Sequence, residues 1–111
     1  ESLVIDLHRA ALIEARDDHT ALTNLFSGRP ARGIMNRLMR EAGPMSDAAP
    51  AFPTAGGALA PLKAKAEAQG STDFTSLWSG QAASLGVEVG AGDLTRLLAE
   101  DALRRLKSLA S

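Results

Sequence analysis

Apolar side chains recur at helical spacing in five stretches of this chain, separated by glycine, proline and capping residues. In residues 2–16, Val4, Leu7 and Ala11 mark one face, Leu3, Ile5 and Leu12 widen it, and Ser2 stands where an N-cap is expected. Asp17-Asp18-His19 stops that helix, because acidic side chains oppose the negative end of a helix dipole. The next run breaks the period. Thr20, Leu22, Asn24 and Phe26 alternate with Ala21, Thr23 and Leu25, which reads as a short strand or an extended loop. Ser27-Gly28-Arg29-Pro30 is a turn. Residues 31–42 predict a second helix, with Ile34, Met35, Leu38 and Met39 inward and Gly43-Pro44 at its end. Residues 43–57 carry three prolines and the pair Gly56-Gly57, and form a long loop of the kind that serves as a lid or linker. A third helix is predicted over 58–69, with Pro61 in its first turn and Gly70 just past its end. A fourth is predicted over about 74–84, putting Phe74, Leu77, Trp78 and Gln81 on one face, although Gly80 weakens it. Asp93 caps the last, whose stripe is Leu94, Leu97, Leu98, Ala102 and Leu109.

This pattern is mainly α: about five helices, one short doubtful strand, one Pro/Gly-rich loop, and no internal repeat. Composition agrees, since 21 alanines and 16 leucines make up a third of the 111 residues and favour helix. The length fits one small domain or a piece of a larger one; a complete (β/α)8 barrel needs roughly 250 residues. The chain lacks an initial Met and begins inside the first predicted helix, so a longer parent is expected. An isolated domain of this size with so few aromatics would be marginal.

Twelve Lys and Arg against 13 Asp and Glu leave a net charge of −1, which gives no whole-chain attraction for nucleic acid or an anionic membrane. No apolar run is long enough to span a bilayer, and the first residues do not form a signal peptide. Zero cysteine removes disulfides, Cys-ligated zinc, iron–sulfur clusters and thiol catalysis. It is compatible with a reducing compartment, and a cytoplasmic location is the expectation.

Four arginines, Arg29, Arg32, Arg37 and Arg40, fall within twelve residues. They are not interleaved with aromatics and Glu41 is adjacent, so helix-surface charge with loop tethering accounts for them better than an anion or nucleic-acid contact does. His8 and His19 have no partner at a ligand spacing, so a metal site is not indicated, and His8 reads as surface or satisfied packing. Ser27-Gly28-Arg29-Pro30-Ala31-Arg32-Gly33 is a Gly-rich turn without the residues of a Walker or dinucleotide motif. Trp78-Ser79-Gly80-Gln81 is more informative: an indole beside an amide makes a flat apolar wall with one hydrogen-bonding group, suited to a planar ligand. A core Trp with an incidental polar neighbour would look the same.

Taken in order, several runs resemble one family. They are His8-Arg9-Ala10-Ala11-Leu12, Thr20-Ala21-Leu22-Thr23, Phe26-Ser27-Gly28-Arg29-Pro30-Ala31-Arg32-Gly33 with Asn36-Arg37, Ala49-Pro50-Ala51-Phe52-Pro53, Ala60-Pro61-Leu62, and Asp73-Phe74 leading to Leu77-Trp78-Ser79-Gly80-Gln81. The series resembles the C-terminal third of the nitronate monooxygenases, formerly called 2-nitropropane dioxygenases. The resemblance implies an FMN-dependent (β/α)8 barrel with a small helical domain, oxidising alkyl nitronates with O2 to a carbonyl compound plus nitrite or nitrate. It implies that residues 1–92 are the helical domain over the barrel mouth and that 93–111 form the helix returning to the barrel.

The loops that hold the FMN phosphate and the histidine near the flavin would then lie upstream, and neither His8 nor His19 matches that histidine. No catalytic residue is assigned within this chain. What the resemblance carries over is a wall: Trp78 and Gln81 toward the cofactor, Phe52 and Pro53 toward the substrate. Family members often carry Tyr where Phe52 stands, so a hydroxyl able to bind substrate is missing here. Arg29 and Arg32 are then read as tying the turn to neighbouring carbonyls. The expected partners are a small nitronate, O2 and the rest of the barrel, with self-association a further option because an apolar face is left bare. Two alternatives remain: a related flavin barrel that reduces quinones or enoyl thioesters with NAD(P)H, and a standalone helical interaction module without catalysis.

Overall fold

The computed structural model describes residues 3–111. The Ser2 cap lies outside the described residues. Helix α1 runs Asp6–Glu14, shorter at both ends than the predicted 2–16. Ile5 before it and Ala15 after it are extended. Asp17–His19 form one 3₁₀ turn, in which the Arg16 N–H donates to His19 Nδ1 at 3.3 Å.

The alternating run at 20–26 does contain a strand. Strand β1, Thr20–Thr23, pairs antiparallel with β2, Ala31–Ile34, in the register Thr20↔Ile34, Ala21↔Gly33, Leu22↔Arg32, Thr23↔Ala31. β2 corrects the helix predicted over 31–42. Its first four residues are extended because they are hydrogen-bonded on both edges, to β1 on one side and to residues 77–79 on the other. Ile34 N–H donates to Leu77 O at 2.8 Å and Ser79 N–H to Arg32 O at 3.2 Å, and Gly33 bridges Trp78. Gly33 permits this close approach, since a Cβ there would stand 3.1 Å from Leu77 O. Tertiary pairing thus overrides local helix propensity.

The remaining helix of that segment is α2, Arg37–Ala42, and Asn36 caps it by accepting from Met39 N–H at 3.3 Å. The same side chain donates to Thr72 O at 3.1 Å and Thr75 O at 2.8 Å, fixing the distant 72–75 segment to the start of α2. Asn24 does similar work on the long loop: Nδ2 donates to Ser46 O at 2.8 Å, and Oδ1 accepts from Ser46 N–H at 3.0 Å.

Helix α3, Ala55–Ala68, begins three residues before the predicted 58, so Pro61 lies in the helix interior rather than in its first turn. Pro61 faces solvent, where water can take up the released backbone acceptor. Gly70 ends the helix as expected, at φ 77°, with its N–H on Glu67 O at 2.9 Å and the Ser71 N–H on Ala66 O at 2.9 Å.

The helix predicted over 74–84 does not form. Residues 77–79 run along β2, and only Ala83–Leu85 makes a 3₁₀ turn. Extended backbone turns alternate side chains to opposite sides: Leu77 is buried while Trp78 is exposed. The shared face assigned to Phe74, Leu77, Trp78 and Gln81 is therefore absent. The count becomes four α-helices, two 3₁₀ turns and a two-stranded sheet among the described residues.

The core is small. Leu25, Phe26 and Met39 are buried, with Ala21, Met35, Leu38, Ala49 and Leu59 packed around them. The last helix, α4, Ala91–Ala110, starts at a Gly90 cap, so Asp93 sits in its first turn and pairs with Arg96 instead of capping. None of its residues is buried. The molecule measures 54 × 28 × 23 Å with a radius of gyration of 17.1 Å, against about 13 Å for a compact chain of this length. A 20-residue helix spans about 30 Å and accounts for much of that elongation.

Candidate functional site

Two exposed aromatic walls flank the turn that follows β1. The first is Phe52. The turn needs Gly28, at φ 90°, where a Cβ would stand 2.3 Å from Phe52 N and 2.7 Å from Pro50 O. No side chain fits, so the 50–53 loop rests directly on the turn backbone. Ser27 shapes the turn further, its hydroxyl accepting from Arg29 N–H at 3.2 Å and donating to Arg29 O at 2.9 Å. The Arg29 guanidinium then lies 4.3 Å from the centre of the Phe52 ring, a cation–π contact. Phe52 remains 49% exposed, and Pro53, joined to it by a cis peptide, is exposed as well.

The second wall is Trp78. Its ring meets Phe26 edge-on, with centroids 5.8 Å apart at 87°, and its Cε3 lies beside the bare Gly33. The indole is 37% exposed, so one flank is anchored on the core and the other is open. Gln81, beyond Gly80, is exposed and makes no hydrogen bond among the described residues. Phe26 thus carries Trp78 while Gly28, two residues on, carries Phe52. The structure brings the two walls to one turn. It records no direct contact between Phe52 and Trp78, and Trp78 and Gln81 do not share a helix face.

The arginines tie the turn in a different way from the one expected. Arg32 donates to the Thr20 hydroxyl at 3.1 Å and Arg29 rides on a ring, so neither side chain holds a neighbouring carbonyl. Sequence reasoning passed over Asn36 and Asn24, and read His8 only as surface or satisfied packing. Asn36 carries a visible signal, an Asn just before an apolar helical run. Asn24 and His8 carry none, because their partners Ser46 and Trp78 are far along the chain.

The titratable groups with clear shifts lie on α4, outside both walls. Arg105 and then Arg104 hold the Asp101 carboxyl below the usual carboxylate range, and Asp101 in turn raises Arg105. A groove of about 260 Å3 runs between α1 and residues 83–88, lined by Val4, Leu12, Ile13, Val87 and Glu88 among others; none of the four predicted wall residues lines it. No helix among the described residues is long and apolar enough to cross a membrane.

The described residues thus form a small helix-rich unit with two anchored, outward-facing aromatics. The sequence pattern of the nitronate monooxygenase family matches residues 1–101, and the chain belongs to that family. It is 39% identical over 102 residues to the nitronate monooxygenase of Pseudomonas aeruginosa strain PAO1, covering 91% of this chain and 29% of that protein. It is 32% identical over 105 residues to a probable nitronate monooxygenase of Bacillus subtilis strain 168, covering 94% and 30%. A solved nitroalkane oxidase from Streptomyces ansochromogenes superposes with a TM-score of 0.82 at 34% identity, over 96% of this chain and 30% of that one. The chain therefore spans about three tenths of the length of these relatives.

Proposed function

We propose that this chain forms one wall of the active site of an FMN-dependent oxidoreductase that oxidises alkyl nitronates with O2 to a carbonyl compound plus nitrite or nitrate. Residues 1–92 cover the mouth of a (β/α)8 barrel, and 93–111 return to it. The observation that carries this reading is the pair of anchored, open aromatic walls at Phe52 and Trp78, held in a chain of this family. The residues fit a flavin: the open flank of Trp78 is flat and apolar, and the Gln81 amide is free to hydrogen-bond a ring heteroatom. When bound, FMN supplies the electron transfer between nitronate and O2.

The chain's own contribution is placement and exclusion. Trp78 and Gln81 hold one side of the isoalloxazine. Phe52 and Pro53 border the substrate and exclude water from it. Phe52 offers no hydroxyl, so any hydrogen bond to the nitro oxygens comes from elsewhere. The Arg29 charge behind the Phe52 ring matches an anionic nitronate in sign.

The test uses the whole protein as it occurs in its cell, loaded with FMN. Nitronate-dependent O2 uptake without NADH is expected, together with loss of FMN affinity in Trp78→Ala and a raised KM in Phe52→Ala. Turnover only with NADH and a quinone refutes the nitronate assignment. Wild-type FMN affinity and KM in both variants refute the wall.

A further inference from the structure

Trp78 is held from a direction that the hairpin does not explain. Residues 77–79 lie along β2, and there the Leu77 carbonyl and the Ser79 N–H are the groups bonded to it. In extended backbone the next carbonyl points the other way, so β2 cannot reach the oxygen of Trp78. His8 does. It sits on α1, 70 residues away in sequence, with Nε2 3.0 Å from Trp78 O. A carbonyl only accepts, so Nε2 carries the hydrogen.

We propose that His8 is a positioning residue for the Trp78 wall. Its hydrogen bond fixes the peptide from which the indole projects, while the Phe26 edge and the bare Gly33 fix the ring. The segment needs such a tie, because Gly80 follows and no regular structure resumes until Ala83. The role is separable from simple docking of α1. That helix also packs on the 83–85 turn, and its apolar Leu12 and Ile13 face Ala83 and Val87 across the groove. Loss of the imidazole therefore leaves α1 attached and releases only the Trp78 peptide. The inference rests on the reading that Trp78 faces the flavin.

The experiment compares variants of the whole FMN-loaded protein by FMN affinity on reconstitution, by kcat and KM for propionate 3-nitronate, and by melting temperature. His8→Leu removes the donor, and His8→Asn stays polar but is too short to reach. Each is expected to weaken FMN binding or raise KM by about two- to tenfold, the range of one hydrogen bond. His8→Gln keeps an N–H at the same reach and is expected to recover wild-type values. Leu12→Ala is expected to lower the melting temperature and leave both constants unchanged. If Trp78→Ala shifts them but His8→Leu and His8→Asn do not, the inference fails and the wall stands. If His8→Gln and Leu12→Ala match His8→Leu, the effect is general docking of α1 and the inference fails. If Trp78→Ala changes nothing, the wall and the inference fall together.

Discussion

Replacing Gly28 by Ala tests how the Phe52 wall is built. The position has φ 90°, and an added Cβ would lie 2.3 Å from Phe52 N, 2.7 Å from Phe52 Cα and 2.7 Å from Pro50 O. All three are backbone atoms, so no side-chain rotation relieves the clash. The positive φ costs about 1–2 kcal/mol for a residue with a Cβ, and overpacking adds about 1–3 kcal/mol. The sum is about 2–5 kcal/mol unless the 50–53 loop lifts off the turn. If it lifts, the clash is relieved but the Arg29 stack on Phe52 is lost. Thermal denaturation and steady-state kinetics of the FMN-loaded whole protein separate these outcomes. A melting temperature lower by several degrees with an unchanged KM means the loop stays; a smaller drop, from the φ cost alone, with a raised KM means it moves. Gly57→Ala is the control, because nothing lies within 4 Å of its Cβ position and a helical Gly→Ala change is favourable by roughly 0.5–1 kcal/mol. A Gly28→Ala protein with both the melting temperature and the KM of wild type would refute the reasoning.

Arg29→Met keeps the side chain's length and removes its charge; KM for an anionic nitronate should rise about three- to fivefold, from a charge worth about 1 kcal/mol at close range. Added salt should erase the difference, and a salt-independent rise would point to packing instead. Asn36→Ala loses the α2 cap, about 1 kcal/mol, and strips a donor from the Thr72 and Thr75 carbonyls, at about 1–3 kcal/mol for each left unsatisfied. It should lower the melting temperature more than any exposed α4 substitution does. Asp101 is ionised below the usual carboxylate range because Arg105 and Arg104 pair with it, so its contribution is present above the ordinary value and lost as pH falls through the lowered one. Circular dichroism should show helicity falling over that acid range, and Asp101→Asn should abolish that component. Leu97, Leu98, Leu106 and Leu109 are all more than half exposed on α4, so residues 1–111 expressed alone should self-associate in sedimentation; a clean monomer would show that this face needs no cover.

What was legible in the sequence divides along physical lines. Signals that act within a few residues were readable: Gly70 as the end of α3, the Gly28 turn, and the leucine stripe of α4. Element ends were misread by a few residues at α1, α3 and α4, and the errors of element type fall where a distant segment decides. Residues 31–34 carry an apolar spacing that suits a helix, yet β1 and residues 77–79 hydrogen-bond them from both sides. The same contact straightens 77–79, so the helix predicted over 74–84 is lost together with the first turn of the one predicted over 31–42, and one unforeseen pairing accounts for both misreadings. That pairing also determines what Trp78 can do. On a helix it would have shared a face with Leu77 and packed inward. On the edge of β2 it alternates with Leu77 and turns one flank outward, while Gly33, bare of a side chain, leaves room for the other. The sequence pointed to Trp78 through its neighbours and to Phe52 through the family resemblance, neither of which required the local structure to be right, and both side chains are exposed. The geometry supplies what the resemblance lacked, a physical reason for two aromatics in so poor an aromatic inventory to remain exposed: each is fixed by backbone packed against glycine, Gly33 behind Trp78 and Gly28 behind Phe52. A Cβ at Gly28 would press on the Phe52 backbone, whereas one at Gly33 would crowd Leu77 O at 3.1 Å and only touch Trp78 Cε3 at 3.5 Å, so the two glycines set the path of the backbone from which each aromatic projects.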